Sequence, residues 1–416
     1  MAERLQAPRG TYDVLPEDAD ARAALEATAR RILEGAGYRR IETPTFEQTE
    51  VFARGVGAST DIVQKEMYTF DDGGGRSVTL RPEGTAPTCR AYVEHGMHKL
   101  PQPVKLWYLS SFFRSEKPQQ GRYRQFWQVG VEAIGSDDPA VDAETIVLLA
   151  TLLAELEVKG TRLRLASLGT LAARHAYRER LQAHLRAHAD ELADDVRSRI
   201  DLNPLRAFDS DHAGTRAVMA DAPLLLDHLD ADDAEHFATV RALLDGADVA
   251  YEVDPTLVRG LDYYTRTVFE FTSDALGAQS GVGGGGRYDG LVEMLGGPPT
   301  PGCGWAAGIE RILLASSGLP VAPPPVDLYV AFDAPAQRAA AFAVADEARR
   351  ARMNAQVELG GRSRKGQLKH ADRLGARYVA IVGDEATVLK DMHAGEQHDV
   401  PTAGLVARIL RERGMH

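Results

Sequence analysis

Seven residues, Pro320-Val-Ala-Pro-Pro-Pro-Val326, constrain this 416-residue chain more than any other stretch. A proline cluster fixes φ and removes backbone donors, so no regular element runs through it, and it reads as an extended, semi-rigid spacer. It divides the chain into residues 1–320 and 327–416. The smaller piece alternates strand-like Asp327–Phe332, helical Ala336–Met353, strand-like Gln356–Leu359, helical Gly366–Leu374 and strand-like Tyr378–Val382. Alternation of that kind predicts a small α/β domain.

The larger piece opens with a helix from Asp18 to Gly35, apolar at helical spacing and stopped by Gly35 and Gly37. An extended stretch from Tyr38 to Thr43 ends at Pro44. Short β-rich runs follow at Met67–Arg81, Lys105–Phe113 and Arg124–Ile134, broken by turn residues, a pattern of antiparallel strands rather than βαβ units. Between Leu171 and Asp248 the composition turns rich in Ala, Leu, Arg and Asp and poor in glycine. Strands return on both sides, at Thr161–Leu168 and Tyr251–Phe271, so residues 171–250 read as a helical insertion in an α+β core. Gly281–Gly286 reads as a glycine-dense loop and Ala306–Ser316 as a helix.

Composition narrows the function classes. No apolar run approaches the roughly 20 residues of a membrane span, and the charged N-terminus lacks the apolar stretch of a secretory signal. Two distant cysteines, Cys89 and Cys303, rule out a disulfide framework and a cysteine zinc site and fit a reducing cytoplasm. The net charge of −12 argues against a nucleic-acid partner only on average. From Asp327 onward 14 Lys plus Arg face 12 Asp plus Glu, a balance of +2, which leaves −14 on the rest. Gly281-Val-Gly-Gly-Gly-Gly286 fits GxGxxG formally, but no βαβ unit surrounds it and no acidic residue stands about 20 positions on. There is no GxxxxGK[ST] phosphate loop, and His95 and His98 lack an HExxH context, so no metal site is read.

What remains is arginines and carboxylates set among glycines. Arg81-Pro-Glu83-Gly-Thr85 ends a strand in charge, and Phe113-Arg114-Ser-Glu116 runs an apolar strand into charge. Along Gly121-Arg122-Tyr-Arg124-Gln-Phe-Trp-Gln128-Val-Gly-Val-Glu132, period-2 alternation gathers Arg124, Phe126, Gln128, Gly130 and Glu132 on one sheet face. Each residue alone could belong to a solvated sheet surface. As a set, polar groups beside aromatics on one face line a cleft.

These segments resemble the signature motifs of class II aminoacyl-tRNA synthetases, in the form of the histidyl-tRNA synthetase family. Arg9-Gly-Thr-Tyr-Asp13-Val-Leu-Pro16 resembles the N-terminal signature and Gly37-Tyr-Arg-Arg-Ile-Glu-Thr-Pro44 the dimer-forming first motif. Phe113 through Glu132 resembles the second motif, and Gly304-Trp-Ala-Ala-Gly308-Ile-Glu310-Arg311 the third. Leu257-Val-Arg259-Gly-Leu-Asp-Tyr263-Tyr264 and Gly285-Gly-Arg287-Tyr288-Asp-Gly-Leu resemble stretches peculiar to the histidine branch. Trp127 and Trp305 depart from the pattern and read as packing variants.

The resemblance implies an antiparallel class II sheet flanked by helices, with the helical insertion, plus a C-terminal α/β anticodon-binding domain. It implies a homodimer that activates L-histidine with ATP and Mg²⁺ and transfers it to tRNA(His), with no zinc and no editing domain. Arg114, Arg259 and Arg311 take catalytic roles; Arg114, Glu116, Arg122 and Arg311 hold ATP. Glu83, Thr85, Gln128, Glu132, Arg259, Tyr263, Tyr264 and Tyr288 hold histidine. Gly283–Gly286 brings backbone close to substrate, and Gly304 and Gly308 allow strand–helix packing. Arg362, Arg364, Lys365 and Lys369 contact tRNA. A histidine-sensing regulatory subunit of ATP phosphoribosyltransferase is the alternative, opposed by the presence of Arg114, Arg259, Arg311 and the C-terminal domain.

Overall fold

The helix Pro139–Glu155 is apolar on nearly every side, so it requires cover on all of them. Asp138 caps it, accepting from the Ala140 amide at 2.8 Å. The helices Pro16–Gly35 and Ala231–Gly246 and the main sheet supply the cover, and Leu149, Leu152, Trp107, Val131, Phe269 and Trp305 meet in the resulting core. The computed structural model describes residues 4–57, 60, 62–257, 261–277, 280–318 and 325–412. These form two compact units, 1–320 and 321–416.

The first unit is built on an eight-stranded sheet in the order Arg39–Arg40, Val104–Phe113, Gln125–Ile134, Gly302–Gly308, Gly281–Arg287, Thr265–Ser273, Thr161–Ser167, Glu252–Val253. Its six central strands pair antiparallel, and only the two short edge strands run parallel to their neighbours. A three-stranded sheet of Phe46–Gln48, Ser77–Leu80 and Thr69–Asp71 lies in the same unit. Helices and 3-10 turns from Leu171 to Gly246 form the expected insertion.

Two expectations fail here. Gly281–Arg287 is a central strand, not a loop. A Cβ on Gly285 would stand 2.6 Å from the Trp305 Cα, and one on Gly283 2.9 Å from the Ala307 Cα. Glycine in this run lets adjacent strands close together, which a composition reading mistakes for a loop. Gly302–Gly308 is likewise a strand, and the helix starts only at Ile309. Gly304 therefore serves no strand–helix packing: its missing Cβ makes room for the Glu132 carboxyl carbon, 2.8 Å from where it would stand.

The second unit holds a five-stranded mixed sheet, in the order Ala355–Val357, Leu328–Phe332, Tyr378–Val382, Thr387–Asp391, Gln397–Val400. The first three strands are parallel and the last two antiparallel. Helices Arg338–Arg350 and Arg364–Arg373 complete the alternation read from sequence; the antiparallel extension and the final helix Leu405–Glu412 are additions to it.

Candidate active site

Arginines converge on an open cleft of about 670 Å³ over the glycine strand and the strand Gln125–Ile134. Arg114 leaves the end of its strand, donates from Nε to the Pro82 carbonyl at 2.9 Å and lies over the Phe126 ring at 5.2 Å. Glu116 stands 3.7 Å from both Arg114 and Arg122. Arg311, in the first turn of the helix Ile309–Ala315, donates to the Gly281 carbonyl. Burial, then the nearby Arg122, lowers its pKa from the ordinary arginine value, while Glu270 and Glu116 oppose that shift. A guanidinium remains charged under such a push. Glycine backbone forms the floor and Arg206 of the insertion stands on the rim. Four arginines lining one cleft make a site for a polyanion.

Beyond Gln128 the cleft gives way to buried polar groups. Glu132 is fully buried and accepts from Tyr288 Oη at 2.6 Å, Thr85 Oγ1 at 2.8 Å and Tyr108 Oη at 3.3 Å. Burial dominates and pushes its pKa up to about 8, against the hydrogen bonds, which lower it. Glu83 accepts the Thr85 and Ala86 amides at 2.8 and 2.9 Å, at the start of the helix Thr85–Glu94. Burial raises its pKa, with those amides and Arg114 opposing. Tyr263 packs its ring against Tyr264 at 4.7 Å and Tyr288 at 5.9 Å. The buried Gln128 Oε1 has no hydrogen-bond partner, and an unpaired buried acceptor of this kind is costly unless a ligand donates to it.

Tyr108 was not anticipated from sequence. Its ring fills the space between two glycines: a Cβ on Gly84 would come 2.6 Å, and one on Gly130 2.7 Å, from its ring carbon Cε2. Also unforeseen is the brace around Glu310, which accepts the Trp127 amide at 3.1 Å, Tyr12 Oη at 2.8 Å and Arg22 at 2.8 Å. The Arg22 guanidinium lies 4.2 Å above the Trp127 ring, which gives this departure from the family pattern a packing partner. Because Glu310 precedes Arg311, the brace fixes the turn that aims the cleft arginine. A third support lies below: fully buried Arg287 donates to Asp142 at 2.5 and 3.0 Å, and Asp142 meets His236 of the insertion at 2.8 Å. Despite burial, His236 and Arg287 hold the Asp142 carboxyl below its usual range. Arg287 and Tyr12 sit in stretches that resemble family signatures; Arg22 and Asp142 offered no spacing signal, because Glu310, Arg287 and His236 lie 288, 145 and 94 residues away from them.

Of the expected site residues, Arg114, Glu116, Arg122, Gln128 and Arg311 line the cleft. Glu83, Thr85, Glu132, Tyr263, Tyr264 and Tyr288 are buried; the bonds and ring contacts above join Thr85, Glu132, Tyr263, Tyr264 and Tyr288 directly. Arg259 lies outside the described residues. In the second unit Arg362, Arg364, Lys365 and Lys369 are exposed, on or just before the helix Arg364–Arg373. Arg362 is tied to the buried Glu358 at 3.1 Å and Arg364 to Asp333 at 3.2 Å, so half of this basic cluster is engaged within its own unit. Among the described residues no group of three His, Cys, Asp or Glu is placed to hold a metal ion, and no helix is long and apolar enough to cross a membrane.

Comparison with known proteins fits this geometry. Residues 10–312 match the family model described as histidyl-tRNA synthetase, and residues 326–412 that of an anticodon binding domain. The histidine–tRNA ligase of Pelotomaculum thermopropionicum is 48% identical over 98% of this chain and 97% of its own length. That of Halorhodospira halophila is 51% identical over 93% of each. The apo histidyl-tRNA synthetase of S. aureus superposes with a TM-score of 0.81 at 36% identity, covering 98% of this chain and all of that one. A protein from Bacillus halodurans named as an ATP phosphoribosyltransferase regulatory subunit/histidyl-tRNA synthetase shares the fold alone, at 21% identity and a TM-score of 0.65 over 92% of this chain. On the matched length of both units, the chain belongs to the histidyl-tRNA synthetase family.

Proposed function

We propose that the chain is a histidine–tRNA ligase in which the arginine cleft binds ATP and the buried carboxylate pocket binds L-histidine. The observation that carries this reading is the adjacency of the two compartments at Gln128, one suited to phosphates and the other to a polar, cationic amino acid. In the first step the histidine carboxylate attacks the α-phosphorus of ATP; a P–O bond forms, and pyrophosphate leaves. A terminal ribose hydroxyl of tRNA(His) then attacks the acyl carbon, and AMP leaves. No protein nucleophile is required, so the site must supply alignment and positive charge.

Arg114 is the group for the α-phosphate, with Arg122 and Arg311 on the outer phosphates and Arg259 on the substrate carboxylate and α-phosphate. Of the three carboxylates lining this cleft, Glu310 is engaged in the brace, and Glu116 and Glu270 fit the Mg²⁺ accompanying ATP, which prefers carboxylates and phosphates. That ion offsets phosphate charge when bound. Glu83, Thr85 and Gln128 receive the α-ammonium group. Glu132 accepts from an imidazole N–H and fixes the ring's tautomer, with Tyr264 beside it and Tyr263 and Tyr288 shaping the walls. The close approach of bare glycine backbone at Gly283 and Gly284 suits a flat nucleotide lying on the strand.

Residues 327–416 contribute the tRNA-binding unit, with exposed Lys365 and Lys369 as backbone contacts beside Arg362 and Arg364. Buried, unpaired thiols at Cys89 and Cys303 suit a reducing cytoplasm. The segment Gly37–Pro44 supports a homodimer, which light scattering on the purified chain tests directly. Histidine-dependent ATP–pyrophosphate exchange tests the activity: the reading requires exchange with histidine, and its loss in Arg114→Ala. Histidine binding without exchange would instead favour the sensing subunit.

A further inference from the structure

The helical insertion reaches into the catalytic sheet at both ends of one short segment. Arg174, on the helix Leu171–Ala187, donates from a single Nη1 to two backbone carbonyls, those of Asp262 at 2.8 Å and Tyr264 at 3.0 Å. Asp233, fully buried on the helix Ala231–Gly246, accepts the Thr170 amide at 2.6 Å and Arg266 Nε at 2.9 Å. Between these anchors stand Tyr263 and Tyr264, in a turn that precedes the strand Thr265–Ser273.

Arg266 sits at φ +43°, a left-handed backbone that an arginine adopts only where surroundings impose it. What imposes it is visible: its amide donates to the Gly169 carbonyl and its carbonyl accepts from Leu168, both at 2.7 Å, while Asp233 holds its side chain. On the other side, the Asp262 amide donates to the Val56 carbonyl at 3.2 Å. The tyrosine turn is thus pinned by backbone to the ends of the strand Thr161–Ser167 and of the helix Thr49–Gly55, and to the insertion by two charged side chains.

We infer that Arg174 and Asp233 are positioning residues for the amino-acid pocket: the insertion sets where Tyr263 and Tyr264 stand, and with them the affinity for histidine. This rests on the proposed assignment of that pocket to histidine. Arginine suits the post at 174 because one fixed nitrogen can serve two carbonyls, a geometry a lysine reproduces only in part. Coupling of this kind is reciprocal, so whatever draws the insertion away from the sheet weakens histidine binding, and histidine holds the insertion in place.

The test is ATP–pyrophosphate exchange with histidine and ATP varied separately, on the full chain and on Arg174→Lys, Arg174→Gln and Asp233→Asn. Arg186→Ala, which removes an exposed insertion side chain paired with Asp201, serves as the control. The inference expects KM for histidine to rise on the order of tenfold in both Arg174 variants, more in Gln than in Lys. KM for ATP should stay within about twofold, and the control should match wild type. Equal changes in both KM values, or lost activity accompanied by a lowered unfolding temperature in all three variants, would mark a general structural role and overturn the inference. Unchanged KM for histidine in folded Arg174→Gln overturns it as well. Absence of histidine-dependent exchange in the wild-type chain would remove the functional reading itself, an outcome distinct from a wild-type enzyme with unaffected variants.

Discussion

Glu132 holds an unusual position for a carboxyl group, with no exposed surface and three hydroxyl donors around it. Its pKa of about 8 lies above the unfolded carboxyl value near 4.3. Between those two values the folded chain keeps a proton that the unfolded chain has lost, so this group makes stability fall as pH rises. Thermal unfolding of the ligand-free protein from pH 5 to pH 8 should therefore decline more steeply than that of Glu132→Gln; parallel curves would contradict the assignment. The same variant should lower kcat/KM for histidine by about 10- to 100-fold, since an amide cannot give up a proton on ligand binding to become the stronger, charged acceptor for the imidazole N–H. Removing Arg114 takes charge from the cleft rather than from the pocket. Arg114→Ala should cost about 3–4 kcal/mol of transition-state stabilisation, read as kcat in exchange, by analogy with a lost oxyanion donor.

At the scale of elements, the glycine strand is the feature whose sequence misleads most. Gly281–Gly286 carries no side-chain pattern, so neither period 2 nor period 3.6 can register, and a loop is the natural reading. Its reason for being glycine lies in the neighbouring strand, at Trp305 and Ala307, far along the chain. Gly285→Ala should destabilise the first unit by about 3 kcal/mol, because the clash is with backbone that cannot rotate aside. Chemical denaturation measures this, and a cost below about 1 kcal/mol would contradict the packing account. Elements with alternation were legible: Lys105–Phe113 and Arg124–Ile134 were foreseen almost to the residue, as was the insertion. The supports were not. Glu310 with Arg22 and Tyr12, and Asp142 with Arg287 and His236, join groups distant in sequence, and nothing in a single chain marks such pairs. Asp142→Asn would leave Arg287 buried with a weaker partner. A cost of about 3–5 kcal/mol is expected from the same denaturation measurement, the range for breaking a buried ion pair.

At the scale of the molecule, the two units divide the work. The first contains the cleft and the pocket; the second has its own sheet and its own core around Leu328, Val330, Ala380 and Ile409. The proline cluster made that division readable from sequence, while the antiparallel half of the second sheet gave no comparable signal. If adenylate formation belongs to the first unit alone, Lys365→Ala with Lys369→Ala should reduce tRNA charging and its salt dependence, and leave pyrophosphate exchange unchanged. Equal losses in both assays would contradict the separation. One buried carboxylate pocket beside the arginine cleft is proposed to activate histidine and no other amino acid. Its most direct test is ATP–pyrophosphate exchange on the purified wild-type chain with each of the amino acids in turn. Exchange is expected with histidine and only background with the rest; tight histidine binding with no exchange, or exchange that another amino acid supports equally, would contradict this assignment.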